Sequence, residues 1–318
     1  MSNVHSFSVQ QHTKLEKGVS ITMSKIKRII IVGGTHGNEL TGIYLVKKFE
    51  RSPDLIVRSS FESLTLLANP KAYEIGKRYV EIDLNRCFRR RDLENLNLSS
   101  YEAQRAKEIY REFGSGGNQP ADFVIDLHST TSNMGLTLIL ASKHPVNLQV
   151  AAYLMSVNPN VKILYSDTEN QDKHCLDSIG KFGCTLEVGA IAQNTLDAAL
   201  FQQTEALINS ILDSLEAYNQ DNIRLPEQVL TLYQYIGAID YPRNGQGEIQ
   251  AMIHPQIQFR DYKPLNPSEP IFLTFDGQAI AYKGTTTIYP IFINEAAYYE
   301  KGIAMCITRQ QQEIVSSV

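Results

Sequence analysis

Cysteine is scarce in this chain. There are four in 318 residues, Cys87, Cys175, Cys184 and Cys306, and none forms a C-x-x-C pair. Nothing suggests a disulfide framework, so a reducing, cytoplasmic setting is expected. Long apolar runs are also missing. No segment reaches the roughly 18 apolar residues that a membrane helix needs, and the N-terminus lacks the apolar stretch of a signal peptide. Charge of one sign is not in excess either: 30 Lys and Arg stand against 34 Asp and Glu, a net charge of -4. That balance gives no ground for a nucleic-acid or membrane partner. The one basic run, Arg89 to Arg91, is followed by Asp92 and Glu94 and reads as a solvated surface turn. Cys87 lies close to candidate site residues but has no recognisable base partner, so it reads as a buried thiol.

What is present is enough apolar residue, 43%, to bury a core. Residues 1–24 are mostly polar and are expected to form a disordered tail, with Met23 an alternative start to Met1. Arg28 to Val32 is a short β-branched run stopped by Gly33-Gly34, the mark of a buried parallel strand. A helix is expected from Leu40 to Arg51, then a strand from Ser63 to Leu67. Ser99-Ser100-Tyr101-Glu102 has the spacing of a capping box opening a helix to Phe113. Further strands are expected at Phe123 to Leu127, Leu136 to Leu140, Val161 to Leu164 and Cys184 to Val188. Helices are expected at Val146 to Ser156 and Thr195 to Tyr218. This alternation predicts an α/β fold over residues 25–220, with a mixed, largely parallel sheet flanked by helices. After Leu225-Pro226 the pattern becomes short strand-like pieces punctuated by Pro, Gly and Asn. Residues 221–318 are therefore expected to form a smaller all-β domain.

The chemistry gathers at strand ends. His36 and Glu39 lie three residues apart after the first strand, at the entry to a helix, where one turn brings their side chains together. Imidazole nitrogen and carboxylate are both suitable zinc ligands. Alone, H-x-x-E is a weak signal. His128, at the end of another apolar strand, supplies a third ligand, and open α/β sheets place their sites at such carboxyl ends. Three protein ligands leave a fourth position for water. His5, His12, His144, His174 and His254 read as structural or solvated.

Five blocks carry a resemblance: Gly33 to Gly42 (GGTHGNELTG), Asp83 to Arg86 (DLNR), Asp126 to Gly135 (DLHSTTSNMG), Leu186 to Gly189 (LEVG) and Asn294 to Glu300 (NEAAYYE). In this order they closely resemble the aspartoacylases, within the zinc carboxypeptidase-like deacylases. The resemblance implies a carboxypeptidase-like α/β domain whose mouth is covered by the C-terminal β domain, and one zinc on His36, Glu39 and His128. It implies hydrolysis of N-acetyl-L-aspartate to acetate and L-aspartate by a zinc-activated water. Glu187 matches the catalytic glutamate and Arg78 the arginine that stabilises the reacting carbonyl. Asn85 and Arg86 match residues gripping the substrate's α-carboxylate, and Tyr298 a tyrosine reaching back from the C-terminal domain. Asp83 is expected to orient one of these side chains or to stabilise its turn. The partner is thus a small N-acyl amino acid, and a homo-oligomer stays open.

Three positions depart from the pattern. Asp177 stands where an arginine for the substrate's side-chain carboxylate is expected, Ser129 where an asparagine is, and Gly302 where a lysine is. Lys173, Lys181 or Lys301 could take the lysine's or arginine's part. An anion at position 177 disfavours an aspartyl side chain, which makes deacylation of N-acyl amino acids with neutral or aromatic side chains the nearest alternative. A peptide carboxypeptidase and a non-catalytic metal-binding scaffold complete the readings. The covered mouth argues against the first and Glu187 against the second.

Overall fold

The computed structural model describes residues 25–166, 175–222 and 228–315. The expectations placed on residues 1–24, Lys173 and His174 lie outside the described residues. Six strands and six helices alternate first. They are β1 (Arg28–Gly33), α1 (Leu40–Arg51), β2 (Glu62–Leu67), α2 (Pro70–Glu74), α3 (Arg90–Glu94), α4 (Tyr101–Phe113), β3 (Phe123–Ser129), β4 (Gly135–Leu140), α5 (Pro145–Val157), β5 (Lys162–Tyr165), β6 (Phe182–Gly189) and α6 (Ala198–Asn219). Six more strands follow: β7 (Gln228–Ile239), β8 (Ala251–Ile253), β9 (Pro270–Thr274), β10 (Ala279–Ala281), β11 (Tyr289–Ile291) and β12 (Met305–Val315). The mixed, mostly parallel sheet flanked by helices is the fold the alternation predicts. Arg89 to Arg91, read as a turn, instead leads into and opens the short helix α3, where exposed Arg90 pairs with Glu94 at 2.8 Å.

Nine strands form one sheet in the order β11-β12-β7-β5-β4-β6-β3-β1-β2. The C-terminal segment joins it: β7 runs parallel to β5, and β12 pairs antiparallel with β7 over almost their whole length. Among the described residues, only β8, β9 and β10 make a separate small sheet, over their own core of Ile253, Ile271, Phe272 and Ile288. Strand β4 runs antiparallel to β6. Among the described residues no helix is long and apolar enough to cross a membrane.

The period-2 rule divides the central strands between two cores. Ile29, Ile31, Phe123, Ile125 and Leu127 pack on one face beneath α1, α5 and α6. Ile30, Val32 and Val124 face the other way, toward α4 and the short helical turns carrying Leu84 and Leu176. Asp126 and His128 continue this second face of β3. The chain leaves β1 toward β2 on one side and β3 on the other. Strand order therefore reverses beside β1, where open sheets leave a crevice at the carboxyl ends.

The turn out of β1 needs its glycines. Gly34 has φ +70°, a region in which a side chain is strained. At Gly33 a Cβ would lie 2.3 Å from the carbonyl oxygen of Gly42 on α1. That contact is backbone and cannot swing away, so α1 would have to lift from the sheet. Gly33→Ala is expected to lower stability by at least the ~1–3 kcal/mol typical of overpacking. A thermal melt of wild type and variant measures it, and an unchanged midpoint would show that α1 has room to shift.

Candidate active site and metal centre

Strand register builds the centre of the site. On β3 and β6, Asp126 lies opposite Thr185 and His128 opposite Glu187. All four project from one face at the carboxyl ends of adjacent strands, so the inward glutamate is a consequence of pairing with His128. From the other side, the tight turn after β1 delivers His36 and Glu39, both buried. The donor atoms of His36, Glu39 and His128 lie within 4.8 Å of one another.

Each histidine is held from behind. His36 Nε2 donates to Asp83 Oδ1 at 3.0 Å, and His128 Nε2 donates to Asp126 Oδ2 at 2.8 Å. A metal bound at each Nδ1 would leave the Nε2 hydrogens to these two carboxylates. The two Nδ1 atoms face each other at 3.1 Å. Glu39 completes the triangle, Oε1 2.7 Å from His36 Nδ1 and Oε2 3.0 Å from His128 Nδ1. Three such ligand atoms lie close enough to share one cation. Two nitrogens each ~2.0–2.1 Å from a tetrahedral zinc stand about 3.3 Å apart, near the spacing seen. A carboxylate behind each ligating imidazole is also the usual arrangement of such sites. The residues fit zinc.

All eight side chains singled out from the sequence, His36, Glu39, Arg78, Asn85, Arg86, His128, Glu187 and Tyr298, line one cavity of about 300 Å³. Its lining is of two kinds. Arg78, Asn85, Arg86 and Lys301 are polar, while Ile139, Leu164, Ile291, Phe292, Ile303 and Cys306 pack together as an apolar wall. Arg78 donates to Glu39 Oε1 at 3.0 Å, and its buried Nε has no partner. Asn85 Oδ1 accepts from the Leu176 backbone at 2.9 Å, which fixes the amide and keeps its Nδ2 hydrogens as donors. Burial pushes the Glu187 carboxyl well above the usual carboxylate range, with Glu39 and Glu295 adding to the rise and His128 and Arg78 opposing it. Burial likewise pushes the Cys87 thiol up to about 12, in keeping with an inert thiol. All four cysteines are unpaired with one another.

The departing positions are placed as follows. Asp177 lines the cavity, buried, with Thr185 Oγ1 3.4 Å from its carboxylate. Ser129 contributes its backbone N–H to Glu39 Oε2 at 3.1 Å. Gly302 is left-handed, φ +66°, where a lysine would be strained. Lys301 lines the cavity, whereas Lys181 lies over the Phe182 ring. His144 caps α5, and His254 Nδ1 accepts from the Gln256 backbone, so both are structural as read.

Other residues escaped sequence reasoning. Glu102 is fully buried and accepts backbone N–H bonds from Val80, Glu81 and Ile82, the segment between Arg78 and Asp83. The capping-box reading is corrected here. Ser100 is the cap, accepting from Ala103, and Glu102 turns inward to hold that segment. Glu295 performs a similar service after His128, accepting from the hydroxyls of Thr130 and Thr131 and the Thr131 backbone.

The chain belongs to the succinylglutamate desuccinylase/aspartoacylase family. That family's catalytic-domain model matches residues 25–215, and the AstE/AspA barrel-sandwich hybrid domain matches residues 228–310. A Nostoc sp. protein named "Probable aspartoacylase" is 58% identical over 91% of this chain and 98% of its own. The human N-acyl-aromatic-L-amino acid amidohydrolase (carboxylate-forming) is 38% identical over 90% of this chain and 91% of its own. The crystal structure of murine aminoacylase 3 superposes with a TM-score of 0.89 at 37% identity, covering 93% and 99% of the two chains. The protein is thus an amide hydrolase of the aspartoacylase and N-acyl amino acid amidohydrolase family, acting on a small-molecule substrate.

Beneath Glu295, Asp261 accepts from the Ile293 backbone with one oxygen, and its other oxygen is buried without a partner. Burial pushes its carboxyl up to about 6. An unfolded aspartate titrates near ~3.9, so between these values the folded state holds the extra proton. The associated stability is therefore full below about pH 4 and is lost as pH rises through about 6, by about 3 kcal/mol at most. Denaturant melts from pH 4 to 7 should show this decline in wild type and a weaker one in Asp261→Asn. Identical profiles would mean that Asp261 ionises freely.

Proposed function

We propose that this protein is a zinc-dependent amidohydrolase that releases a carboxylate and a free amino acid from an N-acyl-L-amino acid with a neutral, apolar side chain. One observation carries the side-chain assignment: buried Asp177 and an apolar wall line the cavity that His36, Glu39 and His128 also face. An acidic side chain would meet a second carboxylate there, whereas an apolar one gains about 25 cal/mol for each Å² it buries. The aromatic N-acyl amino acids named for the human relative agree with this.

Zinc bound by His36, Glu39 and His128 would supply Lewis acidity, enough to bring a water's pKa to about 7. The remaining work falls to the chain. Glu187, beside His128, accepts the proton of the attacking water and passes it to the leaving amine, and its raised proton affinity suits both steps. Arg78, through the N–H at Nε, meets the negative charge growing on the former carbonyl oxygen. Arg86 and the Asn85 amide hold the α-carboxylate, the guanidinium fixing its orientation as well as its charge. Tyr298 closes the cavity from the C-terminal segment. A location in the cytoplasm accords with the four unpaired cysteines.

N-acetyl-L-aspartate is the second reading. It is favoured by the cationic lining of the cavity, Arg78, Arg86 and Lys301, and by the name of the Nostoc relative.

Two measurements test the assignment. Glu187→Gln should keep about one zinc per chain, by metal analysis, while kcat falls by about 10²- to 10⁴-fold. Retained turnover would remove Glu187 from the mechanism, and absent zinc in reconstituted wild type would remove the metal. In a panel of N-acetyl amino acids, phenylalanine, tyrosine and leucine derivatives should exceed aspartate in kcat/KM. The reverse order would instate N-acetyl-L-aspartate.

A further inference from the structure

Resting on the zinc assignment above, we infer that Lys301 is a positioning residue for the metal: through Asp83 it fixes the ring of His36, which makes zinc retention depend on the docking of the C-terminal segment.

The inference comes from comparing what lies behind the two histidines. A carboxylate held at one oxygen can still turn about its Cβ–Cγ bond, and a second contact on the other oxygen stops that rotation. Behind His128, Asp126 gives Oδ2 to the ring and Oδ1 to the Thr35 hydroxyl at 2.8 Å. Behind His36, Asp83 uses Oδ1 for both the ring at 3.0 Å and the Asn85 backbone N–H at 3.0 Å. Its other oxygen is taken by Lys301 Nζ at 2.9 Å, with Arg78 more distant at 3.7 Å. Lys301 therefore occupies for Asp83 the place that Thr35 holds for Asp126.

The two arrangements differ in origin. Thr35 belongs to the same β1 turn as His36, so its contact forms with the sheet. Lys301 ends the short helical turn Ala296–Lys301, more than 200 residues from Asp83 in the chain. The residue before it reinforces the junction, since Glu300 accepts a 2.7 Å bond from the Tyr79 hydroxyl, on the same segment as Arg78 and Asp83. At its other end the turn begins after Glu295, which holds the loop that follows His128. One short element thus braces both sides of the metal centre. A lysine with its ammonium committed to Asp83 is a poor primary reader of substrate, which sets this role apart from direct recognition.

Partners directly behind a ligating histidine are worth about 10- to 100-fold in metal affinity, and a residue one contact further out should be worth less, about 3- to 10-fold. The experiment measures zinc affinity by chelator competition on full-length wild type, Lys301→Met and Lys301→Arg, with kcat and KM at saturating zinc. Lys301→Met should weaken zinc by that factor and lower kcat with KM nearly unchanged, and Lys301→Arg should restore most of both. Thr35→Val should weaken zinc comparably, through the other histidine. If Lys301→Met melts too low to assay, Lys301→Gln, which keeps a donor for Asp83, should show a smaller loss of the same kind. Wild-type zinc affinity in Lys301→Met or Lys301→Gln, with a raised KM, would overturn the inference and make Lys301 a substrate contact. Wild type itself reads the underlying function: zinc binding with hydrolysis but no Lys301 effect rejects this inference alone, and no zinc binding rejects both.

Discussion

Two imidazole Nδ1 atoms face each other 3.1 Å apart in the interior of this protein, with a carboxylate across both. In a buried setting the charges of these groups are poorly screened, so a proton or a cation between them is strongly held. Almost every feature around it serves to keep the rings from turning away. Asp83 and Asp126 hold the Nε2 hydrogens, Thr35 and Lys301 hold the aspartates, and the Ser129 backbone holds Glu39. The fold thus holds three ligand atoms where one divalent cation would join them. The same logic accounts for the tight glycines after β1, since α1 must sit close enough for Glu39 to reach both rings.

The order of strands explains why these groups meet. His36 follows β1 and His128 lies at the carboxyl end of β3, its neighbour at the point where strand order across the sheet reverses. Glu187 then arrives by register alone, because β6 pairs with β3 so that residue 187 stands opposite 128. A shift of one residue in that pairing would turn Glu187 into the apolar face beneath α6, where a carboxylate has no partner. The apolar packing of β6 through Cys184 and Leu186 on one face therefore fixes the chemistry on the other.

This also explains what could be read from the sequence. The strand runs, the H-x-x-E turn and the strand-end histidine are local patterns, and helix α1 falls at Leu40–Arg51 as its periodicity predicts. Resemblance to the family supplied Arg78, Asn85, Arg86, Glu187 and Tyr298, and the cavity brings them together. The supporting groups left no local signal. Thr35 meets a partner 91 residues away, Glu295 one 164 away, and Lys301 one 218 away. Glu102 imitated a helix cap because Ser at 99 and Glu at 102 have capping-box spacing, yet its carboxylate is committed to Val80, Glu81 and Ile82. Strand polarity was equally hidden, since the buried strand β4 reads the same in either direction while lying antiparallel to β6.

The residues that the C-terminal segment contributes to the cavity bear on substrate size. Its strands β7 and β12 are bonded into the main sheet beside β5, and β12 makes an eleven-residue ladder with β7. Phe292, Tyr298, Ile303 and Cys306 reach the cavity from this same segment. The apolar wall is therefore a continuation of the sheet that carries Glu187. Enlarging it would mean breaking ladder hydrogen bonds as well as moving side chains. A wall anchored in this way selects by shape. The polar lining is different in character: Arg86 is long and can exchange its bond to the Asn85 carbonyl for one to a carboxylate, while Arg78 keeps its bond to Glu39 and has its Nε without a partner. A shaped apolar lining and long cationic side chains thus meet in one cavity, and the N-acyl amino acid proposed above draws on both.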